Sequence, residues 1–204
     1  MGFVPVIRTL LRIEPLSAAI AGATPDGLIF TSLNAVHVWS GMTPARDTPV
    51  LAVGDATAEA ARAAGFASVR SAGCDLDALA ALIRSDRALH GARLLHPAAE
   101  TPAGDLQSLV GDHARIDPLP VYRAAETGAP PPDAFDAVLI HSPRAARALA
   151  AALSPDAARG RIACAISANA GAALSALPFA EIRIAAHPDE ASLLACLGKP
   201  PAGV

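Results

Sequence analysis

The feature of the sequence that most restricts its fold is a strand-to-helix junction that occurs twice. The stretch DGLIFTSLNAV (Asp26–Val36) is an apolar run that stops at two hydroxyl residues and then resumes with helical spacing. The stretch DAVLIHSPRAARA (Asp136–Ala148) repeats this pattern about 110 residues later, with Ser142 in the place of Ser32. Two related βα units are the simplest interpretation.

The repeat continues beyond the junction. Val50–Phe66 resembles Ile162–Phe179, and Ala67–Ile83 resembles Ala180–Leu197. Short β-like runs alternate with alanine-rich helical patterns throughout, which predicts an α/β protein with two similar lobes whose parallel sheets are flanked by helices. The expected strands are Phe3–Ile7, Leu28–Phe30, Val50–Val53, Arg93–His96, Val138–His141, Arg161–Ile166 and Glu181–Ala185.

Two extended, proline-containing segments fit neither repeat, namely Arg8–Pro15 and Ile116–Ala124. We interpret them as two crossings between the lobes, running side by side as an antiparallel two-stranded linker. The expected division is residues 1–7 and 127–204 for the first lobe, 16–115 for the second, and 8–15 and 116–126 for the linker strands.

The strand-to-helix turns are candidate binding elements. Ser32 and Ser142 are placed as helix N-caps, and similar turns occur at Gly54–Thr57 and Ser167–Asn169. In parallel sheets such turns gather at the carboxyl ends of the strands, and helix N-termini favour anions. The alternative is that each serine only caps its helix.

Tyr122 is the single tyrosine and lies in the second linker segment. A phenol can donate a proton to a leaving oxygen, although packing is the simpler role. The six histidines, three cysteines and fifteen glycines show none of the spacings of a metal site, a disulfide framework or a nucleotide loop.

The formal charge of −3 argues against nucleic acid or an anionic membrane surface as a partner, and the apolar runs are too short to span a bilayer. We therefore expect a soluble cytoplasmic protein.

The chain resembles the uroporphyrinogen-III synthase family. The resemblance rests on pieces that occur in the family's order: LIFTSLNAV, LAVGDATAEAARAAGF, LLHPAAE with GDLQSL, PLPVYRA, VLIHSPRAARAL and AAHPDEASLL. It implies a bilobed fold with a two-stranded linker and a hydro-lyase that needs no cofactor. The implied substrate is hydroxymethylbilane, whose eight carboxylates would lie in a cleft between the lobes. The resemblance also implies a monomer, with transient contact with hydroxymethylbilane synthase.

The implied reaction removes the terminal hydroxyl as water, forms a spiro intermediate and closes the ring with ring D inverted. Tyr122 corresponds to a linker tyrosine that assists departure of the hydroxide. The positions that correspond to cleft residues are Thr31, Ser32, Thr57, Ser142, Ser167, Ala168 and Asn169.

Two departures from the family pattern support a rival interpretation. The first lobe lacks the usual N-terminal strand and helix, and a hydroxyl pair in its turn is replaced by Asn169-Ala170. The alternative is a non-catalytic two-lobed anion-binding protein or a degenerate relative of the synthase.

Overall fold

The computed structural model describes residues 3–18, 24–102, 104–132 and 134–198. Within these ranges the strands are β1 Leu11–Pro15, β2 Gly27–Phe30, β3 Val50–Ala52, β4 Val69–Ser71, β5 Arg93–Ala99, β6 Arg115–Glu126, β7 Ala137–Ile140, β8 Ile162–Ala165 and β9 Glu181–Ile184. The α-helices are α1 Leu33–Met42, α2 Asp55–Ala63, α3 Leu76–Ser85, α4 Leu106–Val110, α5 Pro143–Ala152, α6 Pro155–Ala158, α7 Ala168–Ala172 and α8 Glu190–Ala195. Short 3₁₀ helices occupy Arg87–Leu89 and Gly111–His113.

The chain divides into two compact units. The central unit is Ile13–Ala124, and the discontinuous unit combines Met1–Arg12 with Ala125–Val204. The expected α/β class with parallel sheets flanked by helices is confirmed.

The central unit is organised around a sheet with strand order β1-β6-β5-β2-β3-β4. The strands from β2 to β6 are mutually parallel, and all four residues of β2 are buried. Phe30 packs with Val36 and Trp39 of α1 on one face, whereas Ile29 packs with Leu79 of α3 on the other. A parallel strand that is covered on both faces explains the continuous apolar run in the sequence.

β1 and β6 run antiparallel. The Leu16 N–H donates to the Val121 carbonyl at 2.8 Å, and the Thr127 N–H donates to the Leu10 carbonyl at 3.0 Å. One partner's number rises as the other's falls, which defines an antiparallel ladder. Both points at which the chain passes between the units, after Arg12 and after Ala124, lie inside these two strands.

The expected strand Phe3–Ile7 is wrong. Residues 3–7 form no strand, and Val4 and Ile7 are each 85% exposed. Pro5 removes a backbone donor from the middle of the segment, which disfavours pairing there.

The discontinuous unit has a parallel sheet in the order β7-β8-β9. Helices α5 and α7 cover one face through residues such as Leu149 and Ala170, and α8 covers the other through Leu193. Gly171 of α7 packs against β9, where an added side-chain methyl would displace the end of the Ile184 side chain. Apart from the short helix α6, which lies between α5 and β8, the order β7-α5-β8-α7-β9-α8 repeats β2-α1-β3-α2-β4-α3, as the duplicated sequence predicts. None of the helices in the described ranges could cross a membrane.

Candidate functional site

Ser32 and Tyr122 form a hydrogen bond in the central unit. Ser32 Oγ lies 2.9 Å from the Tyr122 hydroxyl oxygen, although the residues are 90 positions apart. Ser32 is also the N-cap of α1, where its Oγ accepts the Ala35 N–H at 3.1 Å. One serine hydroxyl therefore caps a helix and holds the phenol.

A β-bulge sets the direction of the Tyr122 side chain. Along β6, Pro120 pairs with Ala98 and Tyr122 pairs with Ala99, so Val121 is an extra residue on its strand. Val121 and Tyr122 consequently pack into the same hydrophobic cluster, and Tyr122 is 7% exposed. The Tyr122 ring packs in the hydrophobic core, while its hydroxyl reaches Ser32 at the N-terminus of α1.

Thr31 and His96 form a second polar pair. Thr31 Oγ1 lies 3.0 Å from His96 Nε2; Thr31 directly follows β2, and His96 lies in the neighbouring parallel strand β5. His96 is 4% exposed, and desolvation lowers the pKa of its imidazole to about 4. The ring is therefore neutral near pH 7.

Thr57 belongs to neither hydrogen-bonded pair. It is buried in the first turn of α2, whose N-cap is Gly54. In the part of the chain that the structure describes, its side chain has no hydrogen bond to Ser32 or Thr31.

The discontinuous unit places Ser142 and Ser167 after the adjacent strands β7 and β8. Ser142 Oγ accepts the Ala145 N–H at 3.1 Å and caps α5, and Ser167 Oγ accepts the Ala170 N–H at 3.3 Å and caps α7. For both serines, the cap is the only side-chain hydrogen bond to another described residue.

Two further predicted residues, Ala168 and Asn169, form the exposed first turn of α7. Near this end of the sheet, His141 Nε2 lies 2.7 Å from a carboxylate oxygen of Glu190 in the first turn of α8. Both side chains of this pair are more than half exposed.

The helix caps differ in charge according to the strand that they follow. Neutral caps follow the first and second strands of each repeat: Ser32, Gly54, Ser142 and Ser167. Aspartate caps follow the third strands, at Asp75 and Asp189. Hydrogen bonds from Ser192 hold the pKa of Asp189 below its usual value, which favours the ionised form. Of the helices with neutral caps in the two repeats, α1, α5 and α7 have no acidic residue in the first turn and keep an uncompensated positive end, whereas Asp55 lies in the first turn of α2.

A cavity of about 790 Å³ in the discontinuous unit lies at the opposite strand ends from Ser142, at the starts of β7 and β8. Arg159, Arg161 and Arg183 line it, but Arg161 donates to the Phe135 carbonyl and Arg183 to the Cys196 carbonyl. Arg161 and Arg183 therefore hold neighbouring chain segments in place, and none of the predicted site residues lines the cavity. Among the described residues no group of three or more His, Cys, Asp or Glu could hold a metal ion.

A sequence model of one protein family, described as Uroporphyrinogen-III synthase HemD, matches residues 1–195. The chain belongs to the uroporphyrinogen-III synthase family. This match covers both units and every residue of the predicted site.

Solved structures of synthases have the same fold. The uroporphyrinogen-III synthetase of Helicobacter pylori 26695 aligns with a TM-score of 0.74 at 17% identity, over 92% of this chain and 89% of that chain. A mutant uroporphyrinogen III synthase of the extremely thermophilic bacterium Thermus thermophilus aligns with a TM-score of 0.55 at 15% identity, over 96% of this chain and 88% of that chain. No curated protein sequence matches the chain.

The sequence analysis missed two features of the candidate site. His96 is not part of any sequence motif for metal binding or catalysis. The second role of Ser32, its hydrogen bond to Tyr122, joins residues that are 90 positions apart. The position of His96 within an apolar run could have identified it, because a histidine inside a buried parallel strand needs a polar partner.

Proposed function

We propose that the chain is a uroporphyrinogen-III synthase that cyclises hydroxymethylbilane, with loss of water and inversion of ring D. Family membership over residues 1–195 is the observation that carries this proposal. Haem and porphyrin biosynthesis is the corresponding pathway class, and the reaction is that of a hydro-lyase without a cofactor.

Tyr122 assists departure of the hydroxide. Ser32 can donate its proton to the phenol oxygen while it accepts the Ala35 N–H, and the Tyr122 proton is then free to reach the leaving oxygen. The buried ring and the bulge in β6 fix the phenol in one position, which supports catalysis by positioning.

The substrate carboxylates are bound by neutral donors on each unit. The proposed donors are hydroxyl and backbone N–H groups of Thr31, Ser32, Thr57, Ser142, Ser167, Ala168 and Asn169. The neutral caps of α1, α5 and α7, whose first turns carry no acidic residue, support this assignment, since helix N-termini attract anions.

Residues 8–15 and 116–126 act as the linker between lobes formed by 1–7 with 127–204 and by 16–115. The division of the chain after Arg12 and Ala124 and the antiparallel hydrogen bonds of β1 and β6 support this architecture. The enzyme acts as a cytoplasmic monomer that receives substrate in transient contact with hydroxymethylbilane synthase.

The experiment is to incubate the protein with enzymatically generated hydroxymethylbilane and to separate the oxidised porphyrin isomers. We expect the type III isomer in excess over the type I isomer of uncatalysed closure. Type I product alone would reject the proposal and favour the non-catalytic anion-binding alternative.

A further inference from the structure

His96 has a polar role that neither the helix caps nor Tyr122 explains. Its imidazole lies inside β5, in a strand whose neighbours Leu94 and Leu95 are core residues, and it bonds to the partly buried Thr31 hydroxyl. An apolar residue would fill this position at lower desolvation cost. The structure therefore contains a buried ring whose one described hydrogen bond ends at a residue of the proposed binding set.

The tautomer of the ring decides what Thr31 can do. A neutral imidazole carries one proton, on either Nδ1 or Nε2. If Nε2 is bare, it accepts the Thr31 proton, and the hydroxyl then presents only lone pairs, which repel a carboxylate. If Nε2 carries the proton, it donates to Thr31 Oγ1, and the Thr31 O–H remains available as a donor.

We propose that His96, as the Nε2–H tautomer, is a positioning residue that holds the Thr31 hydroxyl as a donor to a substrate carboxylate. The inference rests on the proposed function, since it assumes a polycarboxylate ligand. A neutral ring suits this task because a cationic imidazole would attract the carboxylate itself, whereas a buried neutral donor acts only through Thr31. Burial keeps the ring in this state across the physiological range.

The first test reads the tautomer without any ligand. Long-range ¹H–¹⁵N correlation spectra of the ¹⁵N-labelled protein distinguish the protonated ring nitrogen from the bare one. We expect His96 to carry its proton on Nε2 at pH 7. A proton on Nδ1, or a cationic ring, would overturn the inference.

The second test measures binding of uroporphyrin III, a stable tetrapyrrole with eight carboxylates, by fluorescence. His96→Phe keeps a flat ring without a donor, and we expect it to weaken binding about tenfold, which corresponds to about 1.4 kcal/mol. His96→Gln restores an N–H donor and should recover most of the affinity. His90→Gln, at an exposed position before β5, serves as a matched control and should leave binding unchanged.

A double-mutant cycle separates positioning from a structural role. Thr31→Val should weaken binding by itself, and adding His96→Phe to Thr31→Val should produce no further loss. With hydroxymethylbilane, His96→Phe should raise KM about tenfold and leave kcat within about twofold. Equal losses from His96→Phe with and without the Thr31 hydroxyl, or an unchanged affinity, would overturn the inference.

The two levels of the proposal fail in different ways. Type I product alone from the wild-type protein rejects the synthase function, whatever the His96 variants do. Type III product from the wild type, combined with an Nδ1–H ring or additive variants, rejects only the role of His96.

Discussion

Ser32 and Ser142 provide a matched pair for testing the second role of Ser32. Their backbones are nearly identical, with φ and ψ of −158° and 153° at Ser32 and −160° and 153° at Ser142. Each Oγ accepts an N–H at 3.1 Å. Only Ser32 has the additional bond to Tyr122, so Ser32→Ala and Ser142→Ala differ by this one described interaction.

The expected losses of unfolding free energy follow from these contacts. Loss of a serine cap costs about 1 kcal/mol in each variant. Ser32→Ala also leaves the buried Tyr122 hydroxyl without its partner, which adds about 1–2 kcal/mol. We expect a total of about 2–3 kcal/mol for Ser32→Ala and about 1 kcal/mol for Ser142→Ala.

Denaturant unfolding measures both losses. Trp39 is the single tryptophan and packs in the same cluster as Tyr122, so its fluorescence reports on the central unit. Far-UV circular dichroism detects the helices of both units. In a Tyr122→Phe background the cost of Ser32→Ala should fall to about 1 kcal/mol, because only the cap remains to be lost.

The same pair should differ in catalysis. Ser32→Ala removes the hydrogen bond that orients the Tyr122 hydroxyl, so type III formation should slow by about tenfold, whereas Ser142→Ala should have a small effect. Equal stability losses for the two variants, with no coupling to Tyr122→Phe, would refute the assignment of a second role to Ser32.

Three further predictions concern the same junctions. Tyr122→Phe should slow type III formation by about 10²–10⁴ while uroporphyrin III affinity stays nearly constant, since the phenol acts on the leaving group; full activity would end its catalytic role. His96 should destabilise the fold as the pH falls from 6.5 towards 4. In this range the imidazole is protonated in the unfolded chain but stays neutral where it is buried in the folded protein. Between about pH 7 and 4.5, the free energy of unfolding should fall by about 2.5 kcal/mol more for the wild-type protein than for His96→Gln. Equal decreases for the two proteins would contradict the burial argument. Ser142→Asp should keep the cap and the stability but weaken uroporphyrin III binding in a salt-dependent way, whereas Ser154→Asp, on the cap of α6, should not; equal binding by both variants would contradict a ligand at α5.

The local features of the site could be predicted from the sequence. Apolar runs that end in a serine and continue with helical spacing placed β2 before α1 and β7 before α5, and the caps formed as expected. The duplication predicted the equal order of the two strand–helix series. These features depend on residues within a few positions of one another, which is the range over which sequence patterns are informative.

The two hydrogen-bonded pairs of the candidate site in the central unit could not be predicted in the same way. Thr31 and His96 are 65 positions apart, and their contact depends on β5 pairing with β2 across the intervening β3, α2, β4 and α3. The contact between Ser32 and Tyr122 depends in addition on one extra residue in β6. Without the bulge, alternation along the strand would place Tyr122 on the face opposite Val121.

The charge of the caps explains how a chain with a formal charge of −3 can be suited to a polyanion. Aspartate and serine cap helices about equally well, so stability alone does not select between them. Yet the aspartates follow the third strands, at Asp75 and Asp189, while no carboxylate caps the helices after β2, β3, β7 and β8. A carboxylate cap would cancel the partial positive charge of about half a unit at a helix N-terminus. At α1, α5 and α7, whose first turns also carry no acidic residue, the absence of such a cap leaves local donors for anionic groups that are independent of the net charge of the protein, whereas Asp55 offsets the effect at α2.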